Sequence, residues 1–598
     1  MKFHKVWEKY KNCIIAFLTI LVNLAVICIC FDFYYALNDD VLMKDIMAGV
    51  YTGTPNGHNM QTLYILGAFI GLCYRLCRGL PWYGLFLFLC QFGSLYLVGA
   101  RMLRLCRKGL EKAGCLLVLS VLIWGVILGH LIFIQYTVTC TMLAATAIFL
   151  FVTTGKRLTV KEFVIQNIPS VLLVILAYQL RTEMLLLVFP FIGLAGLFCW
   201  MEEEKSLLKE NFYKYGIIIS CILAGMLFSR LIDLAAYGSE EWKEFVSFFQ
   251  YRTEVYDFHY DILTSGEHQD SLAAIGITDG KQELLANYNF GLDEEIDAEM
   301  LEKIAAYAVS ADSTLLSEKF LKQGRFYIYR TLHTADAPYN LLVIAGYLCV
   351  FLFSIWSAVE DRRRPKRWSF LWELGLLGIV RTFLWMYILM RGRDPERITH
   401  SLYLAEFAVL MGMLAMRFIR TEQPQLSDSS EKQSKIWRTG MLAACVLIGL
   451  ICLCSLPGNI RNSRTDKEAR EKANQGGLAI AEYCKAHPDN FYFEDVYSTV
   501  KFSQKIFQNV DNFLTNYDIM GGWMCKSPLY REKLEQYGIQ TMENGLLHDP
   551  HVYFILETGM PDSGTDWIQA YYAEKGMAVR IEQVDLIADK YAVYQVKE

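Results

Sequence analysis

Asp39 and Asp40 are adjacent carboxylates in FDFYYALNDDVLMKDIMAGVYTGTPNGH, just past the first long apolar segment of the chain. Ionisable groups beside a membrane span are costly and by default mark a functional site. At the outer end of the first span, they point to a reaction centre facing away from the cytoplasm. The same loop, shaped by Gly, Pro and Asn, ends at His58. A plainer reading is that Asp-Asp caps the helix VLMKDIMAGV by accepting its free N–H groups. A cap needs one carboxylate, so the second asks for its own explanation.

Two further polar groups interrupt apolar sequence. In YQLRTEM, Tyr178, Gln179, Arg181 and Glu183 mark either a site or a hairpin turn between two spans. In MRGRDPERITHS, Arg391, Arg393, Arg397 and His400 need an anionic partner, either phospholipid headgroups or a phosphate-bearing lipid substrate. Arginine presents a planar fork suited to phosphate oxygens. Arg381, inside an apolar stretch, must also find a partner or water. Gln135 and Tyr136 in FIQYTVTCT line a polar pocket or, the favoured reading, hydrogen-bond locally. FFQYRTEVYDFHYD gathers Arg252, Asp257 and His259 with aromatics, which suit a sugar ring and a membrane interface equally.

The elements that position these residues follow from composition. The chain has 598 residues, 54% hydrophobic and 20% charged, with apolar blocks of bilayer-spanning length. This predicts an α-helical polytopic membrane protein. The net charge of −5 and the lack of a basic domain give no support to nucleic-acid binding. Most of the seventeen cysteines lie in apolar blocks without zinc spacing. Cys484 and Cys525 would pair only if their face is oxidising and their geometry allows it. The amino terminus reads as a retained span with a basic flank, Lys2, Lys5, Lys9 and Lys11, which places it in the cytoplasm.

Eleven spans are expected: Cys13 to Phe31, Pro81 to Leu103, Gly114 to Phe133, Val138 to Val152, Phe163 to Tyr178, Met184 to Trp200, Tyr215 to Leu234, Tyr339 to Val359, Trp368 to Met390, Ser401 to Phe418 and Met441 to Ser455. Met60 to Cys77 is read as a juxtamembrane helix. As a span it would turn Arg101, Arg104, Arg107 and Lys108 outward, against the positive-inside rule. Lys156, Arg157, Lys161 and DRRRPKRW then fall inside, and RGRDPER is the exception outside. The expected units are a membrane module over 1–234 with an acidic outer loop at 32–80, a mainly helical extracytoplasmic loop at 235–338, carboxyl-terminal spans over 339–455, and an extracytoplasmic α/β domain over 456–598. Helical patterns alternating with NFYFED, HVYFILE and AVYQV predict that domain. A polar linker, RTEQPQLSDSSEKQSK, precedes the last span.

One span, an outer loop with paired acids, the juxtamembrane NMQTLYILGAFIGLCYRL and an Arg-rich turn after the next span together resemble the GT-C superfamily of polytopic glycosyltransferases. Protein O-mannosyltransferases and the lipid A aminoarabinose transferase are its best-known branches. The resemblance covers the membrane architecture, but its motif is short. The mannosyltransferases carry Asp-Glu and His-Pro-Pro-Leu where this chain has Asp-Asp and Gly-His-Asn-Met, so the acceptor does not carry over. The resemblance implies a polyprenyl-phosphate sugar as donor and a cell-surface glycan, glycolipid or protein as acceptor. It implies Asp39 as base, Asp40 to orient it, bind the acceptor or help hold a metal if one is used, and Arg181, Arg391, Arg393 and Arg397 at the departing phosphate. Glu183, Arg252 and His58 complete the candidate substrate site. A divalent cation, Mg or Mn, fits the superfamily, though the sequence offers no diagnostic ligand set and none is required. A flippase or transporter for lipid-linked saccharides, or a non-catalytic assembly protein, remains the alternative. Polar groups gathered at one membrane face without an internal repeat favour an enzyme.

Overall fold

The computed structural model describes residues 2–106, 108–155, 158–203, 207–311, 315–333, 336–360, 368–421, 428–500, 504–508, 513–559 and 564–597, with side chains from residue 10 onward and not over 420–434. Arg107, Lys156, Arg157, most of the DRRRPKRW cluster and part of the polar linker lie outside the described residues.

The amino-terminal half runs α1 (Lys2–Cys30), β1 (Tyr34–Tyr35), α2 (Asn38–Ala48), α3 (Tyr64–Leu76), α4 (Trp82–Leu105), α5 (Gly109–Leu122), a π-helical turn (Ile123–Ile127), α6 (Leu128–Ile132), β2 (Phe133–Ile134), α7 (Tyr136–Val152), α8 (Val160–Leu180), α9 (Thr182–Met201) and α10 (Lys209–Ala236). Among the described residues, ten helices are long and apolar enough to cross a membrane. Eleven spans were expected, and the difference is α7. Its 17 residues rise about 25 Å, less than a hydrocarbon core of about 30 Å. Every residue of α7 except Phe151 is buried, because α4, α8, α9 and α19 (Glu396–Thr421) surround it. A helix enclosed by protein has no lipid to match, so its length is free of that constraint. The stretch Met60 to Cys77 contributes only the 13-residue α3, also too short to span.

Capping explains several helix starts. The Gln135 side chain accepts from the Thr137 and Val138 N–H groups and begins α7. Thr159 and Glu162 form a reciprocal capping box that begins α8. The π-helical turn sits where the backbone meets the last span: a Cβ on Gly125 would lie 2.0 Å from the Cys452 carbonyl oxygen, so only glycine permits this approach.

Residues 235–338 form α11 (Glu240–Phe258), α12 (Asp261–Thr264), α13 (Gln269–Ala274), α14 (Asp279–Ala286), α15 (Ala298–Ala311) and α16 (Leu316–Leu332). Then come α17 (Tyr339–Glu360), α18 (Ser369–Met390), α19 and α20 (Asp428–Ala486). Arg381 on α18 finds Glu406 on α19 at 3.5 Å, and Glu373 on α18 meets Arg417 on α19 at 2.5 Å. Both pairs are buried, as charges at membrane depth must be. The final span was expected to stop at Ser455. Instead α20 runs unbroken through Pro457 for 59 residues and ends at the sheet of the terminal region.

That sheet has five strands: β3 (Phe491–Glu494), β4 (Tyr517–Ile519), β5 (Val552–Glu557), β6 (Arg580–Ile587) and β7 (Tyr591–Lys597), in the order β4-β3-β5-β7-β6. β3 pairs in parallel with β4 and β5, and β7 runs antiparallel to β5 and β6. Helices α21 (Val496–Thr499), α22 (Pro528–Gln536), α23 (Met542–His548) and α24 (Asp566–Glu574) connect the strands. Cys484 and Cys525 are free thiols buried in different clusters. The unit is clasped to the membrane region by backbone bonds from Tyr35 N–H to Gln504 O and Ile506 N–H to Phe33 O, each 2.9 Å. Leu514 and Thr515 N–H groups also donate to Val50 O. Residues of the 235–338 loop close its other side: Asn289 donates to Asp495 at 2.6 Å, and Lys526 donates to the Asp293 and Ile296 carbonyls.

Candidate functional site

The paired acids are placed by a two-strand contact. β1 and β2 run parallel, with Tyr34 opposite Phe133 and Tyr35 opposite Ile134, and Ala36 N–H adds a bond to Ile134 O at 2.9 Å. Each strand leads within a few residues into a helix, so α2 and α7 begin side by side. α2 starts after Leu37, which offers no side-chain cap. Asp39 and Asp40 are therefore first-turn residues rather than caps, at the positive end of the helix dipole.

The two carboxylates differ in environment. Asp40 is fully buried. Its Oδ1 accepts the Tyr83 hydroxyl at 2.8 Å, the Tyr136 backbone N–H faces the same group, and Oδ2 has no partner. Tyr83 is fixed in turn by stacking on Tyr35, ring centres 5.8 Å apart, and by its N–H donating to the Tyr74 hydroxyl. Burial pushes the Asp40 carboxyl well above the usual carboxylate range, and the charge of Asp39 adds to this. The Tyr83 bond, the Tyr136 N–H and Arg397 oppose it without reversing it. Asp39 is half-buried and makes no hydrogen bond or ion pair with the described residues. It is the carboxylate open to a ligand.

Cationic groups approach from two helix junctions. Arg181 lies between α8 and α9 with an extended backbone, φ −155° and ψ 97°, that breaks the two helices. Its guanidinium lies 5.1 Å from the Tyr136 ring centre, donates to the Gln61 side chain and pairs with Glu183 at 3.1 Å. The Tyr136 hydroxyl also donates to Gln61, at 3.2 Å. Arg397, in the first turn of α19, acts electrostatically on both Asp40 and Tyr136. It forms no ion pair or hydrogen bond with the described residues. The amino-terminal ends of α2, α7, α9 and α19 thus gather around Tyr136, each presenting roughly half a positive charge. Such an arrangement favours an anion.

The other predicted residues, Glu183 apart, are not part of this group. Arg393 is committed to Asp257 at 2.7 Å. Arg391 is exposed and stacks over Phe258 and Tyr387. Arg252 lies over Tyr256, its buried Nε without a partner, and shares the electrostatic surroundings of Tyr288 with Asp257 and Arg393. These residues form a second cluster where the end of α11 meets the loop between α18 and α19. His58 is elsewhere again. Its ring stacks on Trp242 at 4.6 Å and contacts Asn56 and the Ala236 carbonyl, and none of these partners belongs to Asp39 or Asp40. Burial lowers its pKa. Glu183 is exposed and lines the rim beside Arg181.

Among the described residues no three His, Cys, Asp or Glu side chains converge so as to hold a metal ion. Asp39 and Asp40 supply at most two ligands for the divalent cation that the resemblance allows. Tyr83 and Gln61, which hold Asp40 and Arg181, carry no signal in the sequence beyond a polar atom at the edge of an apolar segment. No family model, curated protein or solved structure matches this chain.

Proposed function

We propose that this protein is a membrane glycosyltransferase that moves a sugar from a polyprenyl-phosphate donor to a hydroxyl of a surface glycan, glycolipid or protein. The observation that carries the reading is the pairing of an unpartnered carboxylate, Asp39, with an uncommitted guanidinium, Arg397, around one set of helix amino termini. Asp39 takes the acceptor proton as the hydroxyl oxygen bonds to the anomeric carbon. The bond from that carbon to the phosphate oxygen breaks, and polyprenyl phosphate leaves as an anion. Arg397, with Arg181 behind Tyr136, stabilises that charge, so no acid is needed for the leaving group. One displacement inverts the anomeric configuration. Asp40 stays protonated and keeps a second negative charge away from the departing phosphate. The basic flank of α1 supports a cytoplasmic amino terminus and a site on the outer face of the cell membrane.

The test is sugar transfer from radiolabelled polyprenyl-phosphate sugars in membranes containing the full chain. Asp39→Asn is expected to lower turnover by about 10²–10⁴-fold, as loss of a general base does, with unchanged membrane insertion. Full activity of both Asp39→Asn and Asp40→Asn would overturn the mechanism.

A further inference from the structure

α16 carries an outward face that the described residues leave uncovered. Its inward face packs on α18: the Tyr327 hydroxyl lies 3.3 Å from Thr382 Oγ1, the Tyr327 ring 6.0 Å from that of Trp385, and Arg381 donates to Thr331 at 3.2 Å. At 3.6 residues per turn, Leu321, Ile328 and Leu332 fall within about 40° of one another, about 100° around the helix from Tyr327 and Thr331. They are 61%, 59% and 66% exposed. Beside this stripe stand Lys322, Arg325 and Tyr329, also exposed. Neither Lys322 nor Arg325 forms an ion pair with the described residues, and Glu318, a turn earlier, pairs with neither.

The neighbouring surface says what covers this face. α18 is long and apolar enough to cross a membrane, and its own outward stripe, Ile379, Phe383 and Tyr387, is more than half exposed. That stripe begins beside Thr382, where α16 docks. The two exposed faces are therefore continuous, and a surface that needs lipid on α18 needs it on α16. An apolar stripe edged by cations and a tyrosine is the pattern of a helix lying in the interfacial plane.

We propose that α16 is an interfacial helix whose Leu321–Ile328–Leu332 stripe lies among acyl chains and whose Lys322 and Arg325 bind the phosphates of anionic membrane lipids. The far end of the helix is anchored: Arg330 pairs with Asp336 at 2.7 Å and with Asp394 at 2.5 Å. Asp394 belongs to the loop that carries Arg391 and Arg393 and leads into α19, so lipid bound to α16 is coupled to the position of that loop. The inference rests only on the chain being a membrane protein, not on sugar transfer.

The full chain, with a benzophenone amino acid in place of Ile328 or of Val584 in the terminal sheet, is reconstituted in vesicles of equal parts phosphatidylcholine and phosphatidylglycerol and irradiated. Mass spectrometry is expected to find lipid adducts at position 328 and none at 584. With the probe at Tyr329, phosphatidylglycerol is expected to exceed its share of the bilayer several-fold among the adducts, and to return to that share in Lys322→Gln/Arg325→Gln. Absence of lipid adducts at 328 would overturn the interfacial placement. Adducts that mirror bilayer composition in the parent chain would overturn the anionic-lipid site.

Discussion

Replacing Asp40 by Asn keeps the shape of the side chain and removes its ability to ionise. In the native chain this carboxyl is fully buried, with Tyr83 on one oxygen and nothing on the other, and burial holds its pKa well above the ordinary range. A group whose folded pKa is raised contributes stability below its unfolded pKa and loses it as the pH climbs through the folded value. The unfolded carboxyl titrates near about 4. From there upward the native chain should lose about 1.4 kcal/mol per pH unit relative to Asp40→Asn, until the folded pKa is reached. The stability difference, variant minus native, therefore rises with pH and then levels off. Tyr83→Phe acts in the opposite sense: it strips Asp40 of its side-chain donor and costs about 1–3 kcal/mol. Both are measured by heating the detergent-solubilised full chain at several pH values between about 5 and 8 and following the folded fraction by size exclusion. A variant that falls further below the native chain as pH rises would show that the fold favours ionised Asp40. The protonated role assigned to it would then be refuted.

Four further outcomes follow from named contacts. Arg397→Gln should lower kcat by about 10²–10³-fold, as removal of a charge-stabilising group does, whereas Arg393→Gln, which only frees Asp257, should change stability by at most about 1 kcal/mol and leave turnover near normal; equal losses of activity would reject the distinction drawn between them. Arg330→Met leaves Asp336 buried without its cation and should destabilise by about 3–5 kcal/mol, part of which Arg330→Met/Asp336→Leu recovers; thermal unfolding measures both. Glu494, buried at the end of β3, is pushed up to about 7 by burial. Its contribution is complete below about 4 and lost by about pH 7, so Glu494→Gln should gain on the native chain across that window and no further above it; a pH-independent difference in melting temperature would contradict this.

Span positions are legible in the sequence because a bilayer imposes length and apolarity on every lipid-facing helix. α7 escapes that logic, since protein encloses it and no lipid thickness sets its 17 residues. The continuity of α20 is hidden for another reason: Pro457 and the polar run after Ser455 read as an end, yet a proline inside a membrane helix is tolerated when neighbouring segments re-satisfy the freed backbone groups. In the candidate site, adjacency made Asp39-Asp40 visible, and the position of Arg181 between two spans made it visible too. The division among the arginines was not readable. Arg391, Arg393 and Arg397 look alike along the chain, and only Asp257 and Phe258, more than a hundred residues earlier, separate the committed ones from the free one. Tyr83 was equally hidden, because it reaches Asp40 from the first turn of α4, 43 residues further along the chain.

The unbroken α20 also gives the molecule a rotational phase. Each residue turns a helix by about 100° and lengthens it by about 1.5 Å. One residue inserted beyond Pro457 would swing the five-stranded sheet past a quarter turn and carry Ile506 and Leu514 away from Phe33 and Val50. Seven inserted residues would restore the bearing to within about 20°, but would lift the sheet by about 10 Å, too far for those backbone bonds to form. The last span therefore works as a gear as much as an anchor: its length, counted in turns, decides which side of the five-stranded sheet faces the paired acids.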